Sequence, residues 1–471
     1  MADELLHFNQ RMTDYEALMW NIEKDPWLSS NIVGVTILDR PVDFADFRAR
    51  MANACARIPR LRQRVQPGIG RFAPPTWVTD AEFDLDYHLR QMSLPEPGSL
   101  RQLLDLATDM MQDPFDRTRP LWQYVVFTSY EGNKGALFTK LHHTIADGAT
   151  AIEMAAQYLS PTREQPSPDY IDLDELIARE TTDQGGMVRQ VFDAGGTFAR
   201  RGLEAVSHAA GEVTKTVTDP TRIGNFVRDI VDSVKVTSVQ LAATESKASP
   251  LWSQRSRHRR VEVFDIPFDD ARNAAKRLGG KLNDFFVTGA VEGAARYHEA
   301  KGASHDTFTV SFAINTRSES AADSAGNEFT LVPVELPAGN MALEDRFALV
   351  HDKLAAVKEE VHGSGMMNAL AGVMNLLPTS VVTTTARNRA AHVDFGTSNV
   401  PAAPIPLYMS GAEVEAMYPV GPVAGTAFIH TLVSYNGTLF VGMNIDADAI
   451  NEPALLRSLM SDAYADLIQF G

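Results

Sequence analysis

A single cysteine, Cys55, stands in a chain of 471 residues. No intrachain disulfide can form, and a thiolate metal site is not expected. That scarcity fits a reducing compartment. No apolar run approaches the roughly 20 residues that a bilayer-spanning helix needs. The start, Met1-Ala2-Asp3-Glu4-Leu5-Leu6, lacks the basic residues and long apolar stretch of a secretory signal. The expectation is a cytoplasmic protein whose contact with a membrane face or a lipid inclusion is peripheral. Basic residues are also short, 43 Lys and Arg against 60 Asp and Glu, for a formal charge of −17. Nucleic acid is therefore not an expected partner, because phosphate backbones need concentrated Lys and Arg. Two local exceptions are the short pair Arg200-Arg201 and the stronger run Arg255-Ser256-Arg257-His258-Arg259-Arg260. The run reads either as a solvated linker edge or as a contact for the phosphates of a nucleotide-bearing substrate or of lipid headgroups.

What is present is the balance of a globular protein, 44% hydrophobic and 22% charged. The length favours two or more domains. Residues 1–160 read as a mixed α/β unit. Residues 32–38 are rich in β-branched side chains. Residues 44–58 place Phe47, Met51, Cys55 and Ile58 on one helical stripe that Pro59 ends. Residues 121–127 and 135–143 read as two strands joined around Glu131-Gly132-Asn133. Residues 161–250 differ in composition, opening with Pro161, Pro166 and Pro168. They read as a partly helical linker. Within it Ile223, Phe226, Val227, Ile230, Val231 and Val234 keep the spacing of an amphipathic helix, packed on the body or lying on lipid. Residues 251–471 read as a second α/β unit. Its strands are expected at 260–266, 307–314 and 331–336, with a hairpin around Asn436-Gly437. Helices are expected from Asn283 or Asp284 to about 298 and over 452–470.

The chemistry concentrates in His142-His143-Thr144-Ile145-Ala146-Asp147-Gly148. Side chains alternate along a strand, so His142 and His143 point to opposite faces and cannot share one metal. A histidine at a strand end suits a general base working near neutral pH. Such a base takes the proton of an alcohol as its oxygen attacks a thioester, then returns it to the departing thiolate. Asp147 falls near a helix N-terminus, where free amides and the dipole favour a carboxylate. Gly148 leaves room for close backbone approach. Cys55, on a core stripe, reads as inert. Asn283 reads either as a helix cap, a task Asp284 could also perform, or as a donor to an oxyanion. Met366, Met367, Leu370, Val373, Met374 and Leu377 form a Met-rich helical stripe before Pro378. It is core, or the wall of an apolar substrate channel.

The motif resembles that of the coenzyme A-dependent acyltransferases, which include chloramphenicol acetyltransferase and the condensation domains of peptide synthetases. Five further runs narrow the likeness: Pro120-Leu121-Trp122, Leu282-Asn283-Asp284-Phe285, Gly326-Asn327, Ser398-Asn399-Val400-Pro401 and Ser434-Tyr435-Asn436-Gly437. In that order they resemble the bacterial wax ester synthase/diacylglycerol acyltransferase family, over about residues 12–467. Ala402-Ala403 departs from the Gly-Pro usual there.

The resemblance implies two chloramphenicol acetyltransferase-like domains, each a mixed sheet with helices, and a tunnel between them. It implies His143 as base, Asp147 as an organiser of the turn paired with a distant arginine, and His142 as a support residue. It brings Asn283 close to the reacting carbonyl and makes Met366, Met367, Leu370 and Met374 plausible tunnel wall. Acyl-coenzyme A would be a co-substrate, with no permanently bound cofactor. The expected reaction moves a long acyl chain to diacylglycerol. Three alternatives stay open: a fatty alcohol as acceptor, giving wax ester; esterification of an acyl chain delivered on a carrier protein; and a non-catalytic coat protein of lipid inclusions.

Overall fold

A computed structural model describes residues 8–68, 74–146, 148–166, 168–183, 248–315, 329–360, 371–372, 374–375, 377–422 and 425–471. The helical stripe expected at 223–234 and the Gly326-Asn327 run lie outside the described residues.

The first sheet is built on β1 (Asn31–Leu38), where Val33, Val35 and Ile37 are buried in alternation. It pairs antiparallel with β6 (Lys134–His142), which pairs antiparallel with β5 (Trp122–Tyr130), and β5 runs parallel to β4 (Leu89–Met92). The turn between β5 and β6 uses positive φ at Glu131 and Gly132. A separate two-stranded ribbon joins β2 (Gln63–Gln66) to β3 (Thr76–Thr79). The helix Phe44–Arg57 starts where the Asp43 side chain accepts the amides of Ala45 and Asp46. It buries Phe47, Met51 and Cys55 in the first core, as helix Leu100–Gln112 does Leu103, Leu104, Ala107 and Met111. Burial drives the Cys55 thiol up to about 12, so it holds no thiolate near neutrality.

The second sheet contains β7 (Arg259–Pro267), β8 (Thr307–Asn315), β9 (Phe329–Pro337), β10 (Phe395–Pro401), β13 (Phe428–Tyr435) and β14 (Thr438–Asp446). Their order is β7-β14-β13-β10-β8-β9, with β10 parallel to both its neighbours. The hairpin between β13 and β14 turns at Asn436 and Gly437, both at positive φ, as its Asn-Gly pair requires. Helices Leu282–Ala300 and Pro453–Ile468 supply much of the second core.

The chain does not keep its two halves apart. β11 (Tyr408–Met409) and β12 (Ala412–Val420), from beyond residue 251, extend the first sheet, β12 pairing antiparallel with β1. Tyr435 fastens this excursion: its hydroxyl accepts the Leu407 amide at 2.8 Å and donates to the Val414 carbonyl at 3.0 Å. β12 crosses so near β14 that a Cβ on Gly442 would stand 1.8 Å from the Pro419 carbonyl oxygen. Asn444 adds a bond from its side-chain amide to the Gly421 carbonyl, 2.8 Å. The first core consequently includes Val261 and Val263 of β7 and Val433 and Phe440 of the second sheet.

Candidate active site

β6 ends on His142, and the chain then turns through Thr144 and Ile145, the Ile145 amide bonding to the His142 carbonyl at 2.9 Å. The two histidines have different surroundings. His142 is fully buried, with Nε2 2.5 Å from Glu23 Oε2 and Nδ1 2.7 Å from Thr144 Oγ1. The Thr144 amide donates to Nδ1 at 3.1 Å, which leaves Nε2 as the protonated nitrogen giving its hydrogen to Glu23. Trp20 and Phe115 stand edge-on to this ring at 6.2 and 6.3 Å. With both nitrogens engaged and no solvent contact, His142 has no free position for a substrate proton.

His143 is half-buried. Its amide donates to the Ser30 carbonyl at 2.9 Å, pinning the turn to the start of β1. The same serine's amide donates to Glu23 Oε1 at 3.0 Å. Glu23 thereby ties His142 and the start of β1 into one network. Burial pushes its carboxyl upward, but His142, the Ser30 amide and Arg117 together hold it below the ordinary range. No spacing rule in the sequence connects Glu23 to a histidine 119 residues away. Behind the motif, Trp122 is buried, its Nε1–H on the Leu61 carbonyl at 2.7 Å and its ring stacked 4.8 Å from His88. The His142 amide bonds to the Leu121 carbonyl at 3.0 Å, so Pro120-Leu121-Trp122 backs the strand that carries the histidines.

Asp147 lies outside the described residues. Gly148 opens helix Gly148–Ala155, which lies against β10, the strand of Ser398 and Asn399. β10 in turn meets the hairpin, Pro401 in register with Ser434. The Ala402 amide bonds to the Ser434 carbonyl at 2.9 Å and the Asn436 amide to the Ala403 carbonyl at 3.0 Å. The Ala-Ala pair thus makes ordinary backbone bonds that join two runs separated in sequence.

The helix Leu282–Ala300, in the layer over the second sheet, carries the remaining polar pair. Lys281 is its N-cap, so Asn283 stands at the second helical position. Asp284 does the capping work: its Oδ2 accepts the Lys281 amide at 2.8 Å and faces His351 Nδ1 at 2.8 Å. Asn283 Nδ2 is buried and, among the described residues, has no hydrogen-bond partner. A buried amide donor left unmatched is uncommon, because it has lost its water.

Of the Met-rich stripe, Met366, Met367 and Leu370 lie outside the described residues, and Met374 is half-buried. Its neighbour Asn375 is fastened to the N-terminal helix, donating to the Asp14 carbonyl at 2.8 Å and accepting from Asn21 at 3.2 Å. The basic run has mostly found partners within the fold. Arg255 bonds to the carbonyls of Val393 and Asp394, Arg259 pairs with Asp446, and Arg260 pairs with Asp105 and Glu262. Among the described residues no cluster of His, Cys, Asp and Glu is placed to hold a metal ion.

A family model described as the wax ester synthase/diacylglycerol acyltransferase catalytic domain matches residues 12–286, and one for the C-terminal domain of the same family matches 325–468. A putative diacylglycerol O-acyltransferase of Mycobacterium tuberculosis is 29% identical over 454 residues, covering 96% of this chain and 90% of that one. Among solved structures, a wax ester synthase/diacylglycerol acyltransferase from Marinobacter aquaeolei superposes with a TM-score of 0.64 at 18% identity, covering 97% and 98% of the two chains. The starter condensation domain of rhizomide synthetase, solved with C8-CoA, superposes at 0.56 with 12% identity, covering 97% and 94%. The fold expected from the sequence, two chloramphenicol acetyltransferase-like domains with mixed sheets, is the fold of these structures.

Proposed function

This chain belongs to the wax ester synthase/diacylglycerol acyltransferase family and is an acyltransferase, and on that premise we propose that it moves a long-chain acyl group from acyl-coenzyme A to diacylglycerol with His143 as the general base. The observation that carries the assignment of the base is the unequal condition of the two histidines. His142 is sealed and engaged at both nitrogens, whereas His143 is fixed by its backbone and only half-buried. The imidazole of His143 takes the hydroxyl proton of the acceptor as its oxygen attacks the thioester carbonyl carbon. The resulting oxyanion is met by the Asn283 side-chain amide, which is buried and unspent. Collapse breaks the carbon–sulfur bond, and His143 returns the proton to the thiolate, leaving an ester and free thiol. Asp147 holds the turn between His143 and the helix opened by Gly148. His142 supports that turn from behind, and Asp284 supports Asn283 by capping its helix.

None of the described helices is long and apolar enough to cross a membrane, which is compatible with peripheral contact at a membrane face or lipid inclusion. The test offers labelled palmitoyl-coenzyme A with diacylglycerol and with hexadecanol separately, to the native chain and to His143→Ala. We expect diacylglycerol to be the better acceptor and the substitution to cost several powers of ten. Full transfer by His143→Ala would refute the base; preference for hexadecanol would make the acceptor a fatty alcohol.

A further inference from the structure

A cavity of about 590 Å³ opens beside the motif, lined by the N-terminal helix Asp14–Ile22, by Arg64 and Val65 of β2 with Pro67, Gly68, Pro74 and Pro75 beyond it, and by Asn375 and Thr379. Its size is that of a small-molecule site. Trp20 and Val65 give it an apolar floor, while Lys24, Arg64 and Arg117 bring three cations from separate parts of the chain. No Asp or Glu lines it among the described residues. In a protein of formal charge −17 that concentration of one sign is local and specific.

Arg117 shows why an anion belongs there. Its guanidinium carbon lies over Trp20, 3.3 Å from the ring centroid, and the group donates to the Trp20 carbonyl at 2.8 Å. The neighbouring carboxylate, Glu23, attracts this guanidinium, but it is shared with His142 and the Ser30 amide, to which it is hydrogen-bonded. Arg64 reaches Asp80 only at 4.0 Å. A neutral lipid filling this space would take the two guanidinium groups further out of water without replacing their hydration, an unfavourable exchange. Phosphate oxygens would replace it. The cavity is also one side-chain layer from the motif, since Trp20 forms part of its wall and stands edge-on to His142.

We propose that this cavity seats the phosphates of the nucleotide end of the thioester donor, with Lys24, Arg64 and Arg117 as their contacts. The proposal rests on acyl-coenzyme A being that donor. The test titrates the full chain with coenzyme A and with adenosine 3′,5′-bisphosphate, and measures kcat/KM with palmitoyl-coenzyme A and with palmitoyl-pantetheine, which lacks the nucleotide. Lys24→Glu and Arg64→Glu are the variants; Lys24 is exposed and the Arg64 side chain is 37% exposed, so both reversals avoid the core. Each should weaken both nucleotide ligands by about tenfold or more, and lower the ratio of the two kcat/KM values by a similar factor. Raising salt should weaken the native complex. Unchanged nucleotide affinity in both variants would overturn the proposal. So would loss of binding to phosphatidylglycerol vesicles with nucleotide affinity intact, which would assign the cations to lipid headgroups. If the native chain transfers palmitate from the pantetheine thioester yet binds no nucleotide, the subsite is wrong and the transfer reading stands. If it transfers from neither donor, the transfer reading fails while the titration still decides the subsite.

Discussion

Replacing Asn283 by alanine should slow the reaction without weakening the fold. Most substitutions of a polar residue in the first turn of a helix damage a cap, at a cost of about 1 kcal/mol. Here the cap is Asp284, whose Oδ2 receives the Lys281 amide, and the Asn283 Nδ2 contributes no bond at all. A buried amide without a partner is a liability of about 1–3 kcal/mol. Alanine removes that liability and has a helix propensity better than asparagine by about 0.7 kcal/mol at most. Set against the packing lost with the side chain, the net change should lie between zero and a gain of about 2 kcal/mol. If that amide stabilises the oxyanion, its removal should lower kcat by about 10²–10³-fold. The assay is kcat at saturating palmitoyl-coenzyme A and diacylglycerol, alongside urea unfolding of the same preparation. Asp284→Ala is the contrast: it strips the Lys281 amide and His351 of an acceptor and should lose stability first. A kcat for Asn283→Ala within about threefold of the native value, well short of the oxyanion-donor range, would rule out the donor role, and unfolding as ready as that of Asp284→Ala would make Asn283 structural.

Two further outcomes follow from the fold. Burial lowers His88 and His298 to about 4 and His430 to about 3. Between those values and an unfolded value of about 6.5, the unfolded chain binds protons that the folded chain does not. Stability should then fall as pH drops from about 6.5 toward 4, by up to about 1.4 kcal/mol per pH unit for each histidine. Asp394, raised by burial, acts in the opposite sense. Urea midpoints at pH 7 and pH 5 measure the balance, and equal midpoints would contradict it. At the crossing of β12 and β14, Gly442→Ala would force a methyl group against the Pro419 carbonyl. A loss of about 1–3 kcal/mol is expected from such overpacking, read as a lower urea midpoint; an unchanged midpoint would mean that the crossing is looser than 1.8 Å allows.

Local patterns in the chain decided a great deal. The β1 alternation, the Phe47-Met51-Cys55 stripe with Asp43 before it, and the Asn436-Gly437 turn each carry their structure in adjacent residues, because backbone sterics and side-chain period are local. The motif separated His142 from His143 by the same rule, and its companion runs pointed to the family. What the sequence could not carry was choice of partner. Ala412, Val414, Ala416, Tyr418 and Val420 alternate as a strand must, yet alternation names a face and not a neighbour. That β12 pairs with β1, from the other end of the chain, was decided by Tyr435, Gly442 and Asn444 in the folded protein. β10, with Gly396, Asn399 and Pro401, has little intrinsic strand preference and is held by parallel neighbours on both sides. The polar sites follow the same division. The run from Arg255 to Arg260 reads from sequence either as a solvated linker edge or as a phosphate contact, and folding matches most of its charges with acids and carbonyls. Lys24, Arg64 and Arg117 are unremarkable apart, and only the tertiary structure brings them to one cavity and buries the Asn283 amide without a partner. Periodicity is set by neighbours in sequence; counter-charge and hydrogen-bond satisfaction are set by neighbours in space.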